Sequence, residues 1–67
     1  MTKVIRHKLC HAYFQGGRWT IDFASADKFS DIETIWYVAE VNKLDLAEIV
    51  LIMNDRPSAY DVVLPMP

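Results

Sequence analysis

The 67 residues, 52% of them apolar, leave room for one hydrophobic core and one domain over residues 1–67, with no second lobe. Cys10 is the only cysteine, which excludes the disulfide-stapled secreted class and points to a reducing, cytoplasmic compartment; no apolar run approaches the ~18 residues that span a bilayer, and no apolar segment follows the basic start, so neither a membrane nor an export signal is expected. The net charge of −2 is unevenly laid out: residues 1–19 hold Lys3, Arg6, Lys8 and Arg18 with no acid, whereas residues 20–67 hold all nine acids and three bases. That asymmetry marks either a face for nucleic acid or an acidic partner, or two attracting faces of one sheet.

The first element is a hairpin. Gly16 and Gly17 stand between two apolar runs, the composition of a two-residue turn that needs positive φ. Pairing Gln15 with Arg18 sets Phe14 against Trp19, Tyr13 against Thr20, Ala12 against Ile21, His11 against Asp22 and Cys10 against Phe23. Because side chains alternate along a strand, Cys10, Ala12, Phe14, Trp19, Ile21 and Phe23 then share one apolar face, the expected core. His11, Tyr13, Gln15, Arg18, Thr20 and Asp22 share the other.

Next, Ser30 followed by Glu33 has the form of a capping box and predicts a helix starting there. Ile32, Ile35, Trp36 and Ala39 fall on one face about 100° wide, the stripe that packs on a sheet, with Tyr37 and Val41 opposite and Val38 between. Asn42 and Lys43 suit the helix C-terminus. The run Glu48 to Met53 is rich in β-branched residues and reads as a strand buried on both faces; the alternative is a second helix over residues 46–54, giving ββαα. Residues 54–59 are turn chemistry, and Tyr60 to Leu64 form a last strand. The expected architecture is α+β, a ββαββ domain with one helix on an antiparallel or mixed sheet.

Chemistry-bearing residues are few. His11 and Asp22, opposed in this register, form half of a general-base arrangement but have no nucleophile beside them, so a wet cross-strand pair is the expectation. His7, Cys10 and His11 lie within five positions, but Cys10 would face away from the two histidines and no second ligand pair follows; no metal and no cofactor is expected. Gly16 and Gly17 are followed by a strand rather than a helix, unlike a phosphate loop. Tyr13 beside Arg18 is the one pairing of an aromatic with a base that suits nucleic acid.

Tyr37, Val38 and Val41 are apolar where a helix covering one sheet should be polar, the usual kernel of a protein interface. The function expected on these grounds is a small non-enzymatic protein-binding regulator or inhibitor that meets a protein partner or a second copy through Tyr37, Val38, Val41, Tyr13 and Arg18. Small proteins of phages and mobile elements often work this way, covering the surface of a host or defence enzyme. The alternative is a nucleic-acid-binding module using the basic first hairpin.

Overall fold

The computed structural model describes residues 1–66. Five antiparallel strands form one sheet: β1 (Thr2–His7), β2 (Tyr13–Gln15), β3 (Arg18–Thr20), β4 (Ala47–Ile52) and β5 (Val62–Pro65), in the spatial order β3-β2-β1-β4-β5. A single helix, α1 (Ile32–Val41), follows β3, so the fold is α+β with one helix on an antiparallel sheet. Residues 46–54 contain β4 rather than a second helix.

The hairpin register is the one the glycines imply: Tyr13 pairs with Thr20, Phe14 with Trp19 and Gln15 with Arg18. Gly16 and Gly17, at φ 52° and 92°, supply the two left-handed positions of a type I′ turn. The ladder is shorter than the alternation suggested. His11 adopts φ 60° in the connection from β1, and the chain bends away after Thr20.

Several expected core residues therefore leave the core. Cys10 is exposed, Ile21 is 91% exposed, and Trp19 remains 37% exposed. Phe23 does not join Phe14; it packs on the other side of the sheet, edge-on to Tyr13 at 5.4 Å. Once the ladder stops, period-two alternation no longer dictates which way a side chain points.

The central strand is β1, an additional element for which the ββαββ reading had no place. It pairs along its whole length with β4, from Thr2 opposite Ile52 to His7 opposite Ala47. Val4 and Ile5 are both fully buried although adjacent, because apolar material covers both faces of the sheet. On one face α1 encloses Ile5, Phe14, Ile35, Ala47 and Ile49. On the other, Val4, Val50 and Ile52 are covered by Ala26 and Phe23 from the segment after β3.

That segment carries the chain around the sheet edge from one face to the other. It begins with a 3-10 turn (Phe23–Ser25) capped by Asp22, which accepts from the Ala24 amide at 3.1 Å. The Lys28 ammonium pins the turn by donating to the Phe23 and Ala26 carbonyls at 2.6 and 2.9 Å while lying 4.5 Å over the Phe23 ring. Phe29 then exchanges two backbone hydrogen bonds with Lys3, of 3.2 and 2.8 Å, and the chain enters α1.

The helix starts one residue later than the capping box implied. Asp31, not Ser30, is the N-cap, and its carboxylate accepts from the Thr34 amide at 2.7 Å and the Thr34 hydroxyl at 3.1 Å. A carboxylate is the stronger cap because it also meets the positive end of the helix dipole. At the other end Leu44 N–H bonds Ala39 C=O and Lys43 N–H bonds Glu40 C=O, a Schellman closure with Lys43 at φ 52° in the position glycine usually fills. Among the described residues no helix is long and apolar enough to cross a membrane.

Candidate functional site

The residues of α1 divide differently from the predicted stripe. Ile35 is fully buried, and Ile32 and Val38 pack against the same cluster. Trp36, assigned to the sheet by the wheel, is 50% exposed, while Val38, assigned to the interface, is partly buried. Both residues flank Ile35, one on each side, so the wheel accepts either as the stripe's margin and only the position of the sheet chooses between them. Tyr37 and Val41 do point outward, at 69% and 60% exposure. One turn apart on the same ridge, they present a continuous aromatic and aliphatic surface.

The other two candidate partner-binding residues lie elsewhere. Tyr13 is half-buried beneath Phe23, on the sheet face opposite α1. Arg18 is exposed at the start of β3, on the short edge strand. The five residues named from the sequence therefore do not form one site: Tyr37 and Val41 are together, Val38 turns inward, and Tyr13 and Arg18 belong to the hairpin.

The catalytic reading loses its geometry. The β2–β3 ladder ends at Tyr13 and Thr20, so His11 and Asp22 are not paired across it. Asp22 instead accepts from the Ala24 amide and, at 2.7 Å, from the Ser25 hydroxyl. His7 accepts through Nδ1 from the Leu9 amide at 3.1 Å and stacks edge-on against Trp19 at 5.1 Å. Among the described residues no three His, Cys, Asp or Glu side chains gather as a metal site.

The uneven charge along the chain is partly spent inside the fold. Arg6 of β1 pairs with Glu48 of β4 at 2.6 Å on the half-buried face opposite α1, joining the basic segment to the acidic one. Lys3 donates to the Ser30 carbonyl at 3.0 Å, beside the start of α1. Lys8 and Arg18 remain exposed.

A groove of about 650 Å³ opens beside the C-terminal half of α1, where Trp36, Leu44, Leu46 and Met66 supply the apolar wall. Lys8 and Lys43 line it together with Glu40 and Asp45, so the charges at its mouth balance and select no ionic ligand. Leu46, at φ 55°, turns its carbonyl to the Lys8 amide at 2.7 Å, closing the groove floor against the end of β1.

Sequence reasoning missed the exposed half of Trp36 and the two acids beside it, Glu33 and Glu40. Both are exposed, and neither enters an ion pair or side-chain hydrogen bond among the described residues. Their signal was present in the helical pattern: a wheel places both glutamates between Trp36 and Tyr37. No family model matches the chain, and neither a curated protein nor a solved structure is found to be similar to it.

Proposed function

We propose that the protein is a non-enzymatic binding protein that holds a protein partner on the outer face of α1 and regulates or inhibits that partner by covering its surface. The observation that carries this reading is the exposure of Trp36, Tyr37 and Val41 on the helix that already buries Ile32, Ile35 and Val38 against the sheet. Tyr37 and Val41 stay mostly in water and Trp36, which walls the groove, keeps half its surface exposed; large aromatic side chains are the residues that most often anchor interfaces. An inhibitor of this kind, of the sort that phages and other mobile elements encode, would act by occupying the surface of a host or defence enzyme. The nucleic-acid reading retains exposed Lys8 and Arg18 but loses its stacking platform, because Tyr13 is engaged beneath Phe23.

The test is the double variant Tyr37→Glu with Val41→Lys. Both side chains are mostly in water, so its thermal melt should stay cooperative and within a few degrees of the wild type, while capture of partner by the intact protein is lost. Loss of the cooperative melt would assign the two side chains to the core and end this reading.

A further inference from the structure

Successive helical residues turn by about 100°, so Glu40 and Glu33 project between Trp36 on one side of the exposed face of α1 and Tyr37 on the other. Seven positions apart, they stand about two turns from one another and form an acidic stripe down the middle of that face. The helix itself contains no Lys or Arg. The bases near it sit outside the helix: Lys3, whose ammonium is held by the Ser30 carbonyl, and Lys8 and Lys43, which line the groove on the Trp36 side of Glu40 without forming an ion pair with it.

Resting on the reading that this face is a binding surface, we propose that its occupant is a protein surface with an apolar centre and Lys or Arg side chains placed to meet Glu33 and Glu40, and that a second copy of this chain is not the occupant. A partner that covers both Trp36 and Tyr37 also covers the stripe between them. Carboxylates taken out of water without cations cost far more than the two rings return, so the partner must supply the cations.

A second copy docked through the same face about a two-fold axis does not supply them. With the helices antiparallel about a two-fold axis midway between Trp36 and Tyr37, Glu33 of one copy meets Glu40 of the other; with the helices parallel, each glutamate meets its own equivalent. Both arrangements set carboxylate on carboxylate. The same stripe repels a phosphate backbone.

The experiment uses the full chain and two fluorescently labelled amphipathic helical peptides that share a Leu-rich face and differ only in the flanking residues, Lys in one and Glu in the other. Fluorescence anisotropy should show the Lys-flanked peptide binding at least about tenfold more tightly, with the difference shrinking as salt rises. Glu33→Gln with Glu40→Gln should remove the preference, Glu33→Lys with Glu40→Lys should invert it, and Asp55→Asn, a neutralisation in the β4–β5 loop, should leave it. All three substituted side chains are exposed, so thermal melts of these variants should match the wild type.

Equal affinity for the two peptides, no binding of the Lys-flanked peptide, or a preference that survives Glu33→Gln with Glu40→Gln would overturn the proposal. Sedimentation velocity should find no association through this face. Self-association that Tyr37→Glu with Val41→Lys abolishes would overturn the charge argument while leaving α1 a binding surface. Unfolding of that last variant would instead remove the binding-surface reading itself.

Discussion

Phe14 and Trp19 face each other across the β2–β3 ladder and lie on the same side of the sheet, yet they carry different loads. Phe14 is 2% exposed within the cluster beneath α1, whereas Trp19, on the three-residue edge strand, stays 37% exposed and leans on Phe14 and His7. Phe14→Ala should cost about 3–5 kcal/mol, enough to unfold a domain whose whole stability is of similar size. Trp19→Ala should cost no more than about half as much, because its ring keeps much of its solvent contact and the site can collapse toward His7. Urea denaturation of the two variants checks the order; a larger loss from Trp19→Ala would mean that the edge strand is more deeply buried than the sheet order implies. The same reasoning separates Cys10 and Ile21, which the alternation assigned to the core, from Ala12, which is buried. The Ala12 carbonyl accepts from the His7 amide at 2.7 Å and so remains tied to β1, while its two former companions lie past the last paired residues.

At the scale of elements, α1 is closed by side chain and backbone at both ends, and one of those closures is strained. Lys43 occupies the left-handed position of the Schellman motif, where a Cβ costs roughly 1 kcal/mol and glycine costs nothing of that kind. Its ammonium has no hydrogen bond or ion pair among the described residues that would be lost with it. Lys43→Gly should therefore stabilise the fold by roughly 0.5–1 kcal/mol, raising the melting temperature by a few degrees in a domain of this size. An unchanged or lowered melting temperature would show that the lysine contributes through the helix dipole more than its backbone costs. The connection between β4 and β5 is secured in another way: Asp61 accepts from the Met53 and Ser58 amides at 3.1 and 2.8 Å, drawing the two ends of the loop together before β5 begins.

Over the whole molecule these local carboxylate caps become visible as a dependence of stability on pH. The Thr34 amide holds the Asp31 carboxyl below its ordinary range, and the Ser58 amide, helped by that of Met53, does the same for Asp61. A carboxyl whose folded pKa lies below its unfolded value binds fewer protons in the folded state. Its contribution is complete above the unfolded value, about 3.9, and is lost as pH falls through the folded one. The melting temperature should therefore hold from neutrality down to about pH 5 and fall below it. Asp31→Asn with Asp61→Asn should melt lower at neutral pH and lose less on acidification, the two profiles converging once both carboxyls of the wild type are protonated. Parallel profiles would show that neither cap is coupled to global unfolding.

The residues alone determine the turn, the three-pair register around it, the position of α1 to within one residue, and the strand character of residues 48–52. Each of these rests on local chemistry: two glycines at positive φ, a polar cap before an apolar stripe, a β-branched run. The outward placement of Tyr37 and Val41 follows from helical period in the same way. Other features depend on what lies across the sheet. Strand β1 is hidden in the sequence because its buried pair, Val4 and Ile5, shows no alternation, and the reason is a second covering layer, the Phe23 to Ala26 segment, that folds under the sheet. The exchange of roles between Trp36 and Val38 is decided likewise, by the side on which α1 meets the sheet, since the wheel admits both. Periodicity reports that a residue has an apolar neighbour at the right angle; only packing decides which surface that neighbour occupies, and so which face of α1 stays in water.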